Sequence, residues 1–255
     1  MAVPILSLIA LISSLLTLVI AVIIFKKQKI PFTWGVNGKL LKRVLQVGLP
    51  ASISGLFYTL STTVTSAMCL QLPAAAYLAK NYISQIVYFT YILGYTIGQA
   101  NSLIVGRVCG MGKLDLADKM HKENLKIVLL CNGVLAVLFA ALGRPLLQLF
   151  FNADAAVMAY AGILFIDIFV ELGRGMNHIG QYGLNATGDV HFTTVISIIS
   201  CWACSVGMAY IFGIVWNLGL YGFWAAFAID ELFRGTLYYI RWRKKDWQKR
   251  FQRII

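Results

Sequence analysis

The amino-acid sequence predicts an all-α integral membrane protein with seven transmembrane helices. Hydrophobic residues make up 59% of the 255 residues, only 13% are charged, and the mean hydropathy is +0.75. Soluble domains carry about 25% charged residues. Apolar runs of about 20 residues, the length that crosses a bilayer core, recur along the chain. Because no alternation of apolar and polar residues dominates, helices are favoured over a β-barrel.

Seven apolar segments with short connections define the spans. They cover residues 3–25, 44–68, 76–106, 124–143, 154–184, 192–213 and 219–240. The first carries no charged residue, and the second contains Gly48-Leu-Pro50 near its start. The third and fourth flank a basic loop, and the fifth contains most of the intramembrane charge. The sixth is apolar from Val195 to Gly213, and aromatic residues bracket the seventh.

The basic residues lie mainly at the ends of the spans. All but four of the 22 lysines and arginines fall in residues 26–43, 107–126 and 241–253. By the positive-inside rule, these segments and the C-terminus are cytoplasmic. Topology therefore accounts for the net charge of +12, and no nucleic-acid partner is expected. An odd number of spans places Met1 outside without a recognisable signal peptide, which is accounted for if the chain is the tail of a longer protein.

A polar stripe in the fifth span is the main indication of function. It comprises Asp167, Glu171, Arg174, His178, Gln181 and Asn185, which share one side of a helix. Ionisable groups at membrane depth cost roughly 2.5–3.5 kcal/mol each on insertion scales and usually mark a pathway. One interpretation is a charge network whose carboxylates pair in turn with Arg174, a proton or metal cation, and a cationic substrate. The other is a permanently paired cluster that holds helices together.

A second charged cluster lies near the centre of the last span. Asp230, Glu231 and Arg234 are neighbours on a helix, at spacings of three and four residues. Structural pairing is favoured, because an arginine held between two acids is largely self-compensated. A direct role in transport is the alternative.

Uncharged candidates complete the predicted pathway. Asn177 and Gln85 either line a polar cavity or only bridge helices. Tyr58 offers an aromatic face to organic cations, and His178 could titrate near neutral pH. The three histidines are dispersed without ligand spacing, so no metal site is expected.

Three further expectations concern residues without assigned chemistry. His121 and His191 are expected in loops. The last span is expected to be anchored at the membrane interface by Trp216, Tyr221, Trp224, Trp242 and Trp247. The glycine-rich run from Gly173 to Gly188 either lets a helix bend or unwind, or serves only close helix packing.

Three blocks of sequence carry a family resemblance. They are Glu171-Leu-Gly-Arg-Gly-Met-Asn177 continued by Leu184-Asn-Ala-Thr-Gly-Asp189-Val-His-Phe, then Gly219-Leu-Tyr-Gly-Phe-Trp224 with its continuation to Arg234, and Gly48-Leu-Pro50. Taken in their order along the chain, these blocks resemble the multidrug and toxic compound extrusion (MATE) transporters, over most of residues 40–245. The family implies twelve helices in two six-helix lobes, with both termini cytoplasmic and drugs exchanged against protons or sodium ions.

The resemblance also implies a division of the chain. Residues 1–30 correspond to the sixth helix of the family, residues 31–245 to a six-helix C-terminal lobe, and residues 246–255 to a basic cytoplasmic tail. Tyr58 stands where many relatives carry a carboxylate. Arg174 stands where members with a cation site in this lobe often have an acid, and Glu171 lies one turn away. The coupling ion, H⁺ or Na⁺, therefore stays open.

The predicted function is that of a secondary antiporter, half or truncated, which exports cationic or amphipathic compounds across the plasma membrane. The protein is not expected to be an enzyme, and no cofactor is expected beyond the ion gradient. Its expected partners are membrane lipid, small-molecule substrates, and either a missing N-terminal lobe or a second copy in a homodimer. Three alternatives remain: a lipid-linked oligosaccharide flippase of the same superfamily, an inactive fragment that only assembles with a partner, and an intramembrane transferase or protease.

Overall fold

The computed structural model describes residues 2–27 and 38–254, and the regular structure of these residues is entirely helical. The helices are α1 (Ala2–Lys27), α2 (Gly38–Cys69), α3 (Ala74–Gly110), α4 (Leu114–Ala141), α5 (Gly143–Phe151), α6 (Ala155–Met158), α7 (Ile163–Ala186), α8 (Val190–Ser200), α9 (Gly219–Arg243) and α10 (Asp246–Ile254). A 3₁₀ turn over Ala159–Gly162 joins α6 to α7. The chain divides into two compact units between residues 43 and 44. The all-α class predicted from the sequence is confirmed.

Four helical segments in the described residues are long and apolar enough to cross a membrane. They are Val44–Cys69, Leu114–Ala141, Ala155–Ala186 and Val190–Val215. Each of the seven predicted spans corresponds to a helical segment, and the fourth begins at Leu114 rather than at residue 124. The number of helices that cross the membrane stays a prediction.

Helix α7 packs against α3, α4 and α9 in the second unit. Of the two interpretations of its glycines, the structure supports close packing, because α7 continues without a break to Ala186. A Cβ atom on Gly180 would lie 2.6 Å from the Cβ of Tyr238 in α9. The absence of that atom allows the two helices to approach closely.

The irregular helix lies in the sixth predicted span instead. After α8 the chain continues as a π-helix over Cys201–Met208, and a second π-helical segment covers Ile211–Val215. Both segments pack against α9. Cys201 and Cys204 are free and buried in this wider helix, which agrees with a packing role for the pair.

The expectations for His121, Trp224, Trp242 and Trp247 were wrong, because all four residues are buried. His121 lies inside α4 and is buried, and its ring stacks on that of Trp242 with the centroids 3.6 Å apart. The ring of Trp247, from α10, stacks on that of Trp242 with the centroids 4.3 Å apart. The indole N–H of Trp242 donates to Asp118 Oδ1 over 2.9 Å. This aromatic stack attaches α10 to α4 and α9. Trp242 and Trp247 are therefore buried within the protein, although their place in the sequence predicted contact with lipid headgroups. His191 is also helical, at the start of α8.

We expect Trp242→Ala to lower the free energy of unfolding by about 3–5 kcal/mol, the usual cost of deleting a buried aromatic side chain. Trp242 is 1% exposed, and its removal also deprives Asp118 of a hydrogen-bond donor. Trp216→Ala is the matched control, because Trp216 is 62% exposed. Unfolding of both purified variants in detergent, followed by far-UV circular dichroism, measures the difference. Equal losses would contradict the assignment of the aromatic stack as structural.

Candidate functional site

Five charges of alternating sign connect α7 to α9, and all but the partly buried Arg174 are buried. Arg174 donates to Glu171, one turn earlier on α7, and its Nε lies 3.6 Å from Glu231 Oε1 on α9. Arg234 contacts the same Glu231 oxygen at 3.1 Å and Asp230 Oδ2 at 2.6 Å. We call these five residues the charge network. Because Glu231 lies between both arginines, it joins the clusters that the sequence analysis treated separately.

Neutral side chains complete the coordination of the charge network. Asn177 Nδ2 donates to Glu231 Oε2 over 2.7 Å, and the hydroxyl of Ser200 donates to Asp230. Asn132 from α4 donates to the backbone carbonyl of Glu171 over 3.2 Å. Asn177 thus combines the two roles considered for it. Its side chain bridges α7 to α9, and the residue also lines a cavity.

Asp167 occupies the same stripe of α7 but has a different partner. Its carboxylate is buried and accepts a hydrogen bond from the indole N–H of Trp224 over 2.9 Å. The charge of Asp167 is therefore stabilised by a neutral donor on α9. The sequence predicted its position on the helix, but not this contact.

Two cavities lie along successive parts of α7. One, of about 410 Å³, is lined by His178, Gln181, Asn185, Glu231 and Arg234, among others, and we call it the His178 cavity. The other, of about 360 Å³, is lined by Lys80, Asp167, Arg174 and Trp224, among others, and we call it the Asp167 cavity. Side chains of the charge network therefore line both cavities.

Tyr58 and Tyr91 line both cavities and so mark the boundary between them. The guanidinium carbon of Arg174 lies 5.6 Å from the ring centre of Tyr91, and that of Arg234 lies 5.8 Å from the ring centre of Tyr58. These distances are within the range of cation–π attraction. The aromatic face of Tyr58, which was predicted to attract organic cations, is thus already paired with Arg234 of the charge network.

Several buried acceptors at the charge network and the His178 cavity lack a protein hydrogen bond. Within the described residues, they include Glu171 Oε2, Asn177 Oδ1 and the ring atom His178 Nε2. Buried polar atoms nearly always have a partner, so such atoms call for an explanation. A water molecule, a cation or a substrate donor would satisfy the two oxygens.

Sequence reasoning missed an aromatic cluster around His178. The ring centroids of Tyr91, Tyr95 and Tyr182 lie 5.5, 5.9 and 6.1 Å from that of His178. Tyr91 and Tyr95 occur at a four-residue spacing on α3, and their rings stack on each other. That spacing was visible in the sequence, but twelve tyrosines gave no way to choose among them.

Gln85 is the predicted site residue that the structure does not bring to the charge network. It is exposed and lines a separate cavity of about 790 Å³ with Phe89, Phe139 and Phe150, among others. Its helix, α3, presents Tyr91 and Tyr95 to the His178 cavity and Gln85 elsewhere.

Comparison with known proteins gives consistent matches. The sequence model of the MatE family matches residues 50–211. The chain is 30% identical to "Uncharacterized transporter YisQ" of Bacillus subtilis (strain 168), with 81% of this chain and 46% of the relative covered. It is 24% identical to "Probable multidrug resistance protein YoeA" of the same organism, with 92% and 53% covered. The chain therefore spans about half the length of the curated relatives that it matches.

Solved structures match the fold. A crystal structure of MATE in the bent conformation superposes with a TM-score of 0.80 at 17% sequence identity, covering 92% of this chain and 54% of that chain. A MOP superfamily transporter from Pyrococcus furiosus, described as having a binding pocket of reverse polarity, superposes with a TM-score of 0.81 at 17% identity, again covering 92% and 54%. At these identities the likeness establishes the fold alone.

Proposed function

Because the chain belongs to the MATE family of transporters, we propose that it is the C-terminal lobe of a secondary antiporter. It would export cationic or amphipathic compounds in exchange for H⁺ or Na⁺. Residues 1–30 would form the helix that precedes the lobe, residues 31–245 six further transmembrane helices, and residues 246–255 a basic tail in the cytoplasm. The chain would lie in the plasma membrane and work with an N-terminal lobe or a second copy.

The observation that carries this proposal is the charge network between two cavities. An ion or substrate moving along α7 would have to pass Tyr58, Tyr91 and the paired arginines, which line the boundary. Buried ion pairs contribute little net stability, because desolvation offsets much of their attraction. A network of five charges, of which Arg174, Glu231 and Arg234 line cavities, is therefore better explained as part of a pathway than as a way to hold helices together.

Exchange of partners within the charge network would couple an ion to a substrate. Glu171 binds Arg174 through Oε1, while its Oε2 has no hydrogen-bond partner in the described part of the chain. A proton or sodium ion on Glu171 would weaken its hold on Arg174. The guanidinium could then turn towards Glu231, which lies 3.6 Å away. That shift would change the boundary at Tyr91 and alter access between the two cavities.

We expect Glu171→Gln to reduce efflux by roughly tenfold or more, because an ionisable residue within a membrane-spanning helix is functional by default. Asp167→Asn should have a smaller effect, since the amide oxygen can still accept the Trp224 hydrogen bond. Efflux of the fluorescent cation ethidium from cells that express the protein measures both. Undiminished efflux in Glu171→Gln would refute a role for the charge network. Driving efflux separately with a proton and a sodium gradient would identify the coupling ion.

The second candidate function is transport of an anionic substrate, as by a lipid-linked oligosaccharide flippase. Arg174 and Lys80 line the Asp167 cavity, and Arg234 lines the His178 cavity. The first proposal is preferred because acids of the charge network bind both arginines. Export of ethidium supports the drug antiporter, whereas movement of a labelled lipid-linked anion without ethidium export supports the flippase. The mass of the purified protein in detergent would separate a monomeric lobe from a homodimer.

A further inference from the structure

A groove of about 550 Å³ lies among α4, α7 and α9 and shares no lining residue with the His178 or Asp167 cavity. We call it the basic groove. Its lining residues are Lys119, Lys122, Glu123, Leu125, Lys126, Leu129, Met176, Tyr239 and Arg243. Helix α7 packs against both α4 and α9, and its Met176 contributes to the groove together with residues of both neighbours. The proposed transport mechanism makes no use of this groove.

The charge of the basic groove suits an anion. Lys122 is engaged by Asp118 at 2.7 Å, and Lys126 is engaged by Glu123 at 2.9 Å. Lys119 and Arg243 have no ion-pair partner among residues 38–254 that the structure describes. Both are exposed, and the guanidinium of Arg243 lies 5.8 Å from the ring centre of Tyr239. Two cations are therefore available to a ligand.

The other half of the basic groove is apolar. Leu125, Leu129 and Met176 are partly buried. Lys119 and Leu129 are ten residues apart on α4, which corresponds to about 15 Å along the helix axis. The groove thus runs from the charged end of a membrane-spanning helix towards its apolar middle. A phosphate with an attached hydrocarbon chain has this order of polarity, whereas a free phosphate ion does not.

We propose that the basic groove binds an anionic phospholipid, with the phosphate between Lys119 and Arg243 and an acyl chain along Leu125 and Leu129. Basic pockets between transmembrane helices attract anionic headgroups in this way. A bound lipid would connect α4 to α9, which meet chiefly through α7. The site is separate from the transport pathway and does not depend on which substrate is moved.

The test is native mass spectrometry of the purified protein in detergent. The probes are dioleoyl phosphatidylglycerol, dioleoyl phosphatidylcholine and inorganic phosphate. We expect one tightly retained phosphatidylglycerol and weaker retention of phosphatidylcholine. The double variant Lys119→Gln and Arg243→Gln should lose at least about tenfold in phosphatidylglycerol affinity, given the usual contribution of each basic residue near an anionic lipid. The exchange Lys119→Arg with Arg243→Lys keeps both charges and should retain the lipid.

The matched control removes two exposed charges outside the basic groove, Lys113→Gln and Lys249→Gln. Retention of phosphatidylglycerol by this control, together with its loss from the groove variant, supports the proposal. Equal losses would show general electrostatic attraction and overturn it. Equal retention of phosphatidylcholine, or displacement of the lipid by millimolar inorganic phosphate, would overturn it as well. Far-UV circular dichroism on each variant verifies the fold, and the charge-retaining exchange keeps the test decisive if the glutamine variant misfolds.

Discussion

Glu231→Gln is expected to abolish ethidium efflux and to lower the free energy of unfolding by about 3–5 kcal/mol, the usual cost of breaking a buried ion pair. Glu231 lies between Arg174 and Arg234, at 3.6 and 3.1 Å, and accepts a hydrogen bond from Asn177. A neutral amide leaves the two guanidinium groups of the charge network with two carboxylates instead of three. Efflux from cells and thermal unfolding of the purified protein measure the two effects.

Two further variants test whether the loss comes from the paired charges. Glu123→Gln is the control for loss of an acid, because Glu123 and its partner Lys126 are half-exposed or more and such pairs contribute about 0–1 kcal/mol. Adding Arg174→Gln to Glu231→Gln removes the cation that also pairs with buried Glu171. We expect this double variant to lose further stability and to export no ethidium. If Glu231→Gln unfolded like the unaltered protein, the charge network would not be paired as described.

The sequence predicted the contacts of the charge network that lie within one helix. Spacings of three or four residues place Glu171 beside Arg174, and both Asp230 and Glu231 beside Arg234. The contacts between helices could not be predicted in this way. The approach of Arg174 to Glu231 depends on the rotation and axial offset of α7 against α9, and nothing local to either segment specifies these.

Aromatic residues show a different limit of prediction. Tryptophans at the end of an apolar span usually lie among lipid headgroups, and exposed Trp216 fits that pattern. Trp242 and Trp247 have the same surroundings in the sequence but are buried, because His121 and α10 provide a surface on which they stack. Only the folded chain distinguishes the two cases, since the partner His121 lies more than one hundred residues away in the sequence.

Gly173→Leu is expected to prevent α7 from packing against α9 and to lower the free energy of unfolding by more than the roughly 1–3 kcal/mol typical of overpacking. A Cβ on Gly173 would lie 2.6 Å from the backbone nitrogen of Leu232 and 2.8 Å from the carbonyl carbon of Glu231. Backbone atoms cannot turn aside as a flexible side chain can, so the helices must separate. Separation would also pull Glu231 away from Arg174 and Asn177, so efflux should be lost together with stability.

We expect the loss of stability to depend on where the added side-chain atom lies, rather than on the loss of a glycine as such. Gly106→Ala is the matched control, because its Cβ would meet only Ala186 Cβ, at an ordinary 3.9 Å. Removing a glycine from a helix interior is mildly stabilising, by roughly 0.5–1 kcal/mol, so this control should unfold no earlier than the unaltered protein.

Gly235→Ala tests the same helix contact from the side of α9, because its Cβ would lie 2.9 Å from the carbonyl oxygen of Gly173. Gly235→Ala should therefore also lower the free energy of unfolding, but by less than Gly173→Leu. If Gly173→Leu and Gly235→Ala both unfolded like the unaltered protein, α7 and α9 would not pack as closely as described. The contact between Arg174 and Glu231, which depends on that packing, would then be in contradiction with the result.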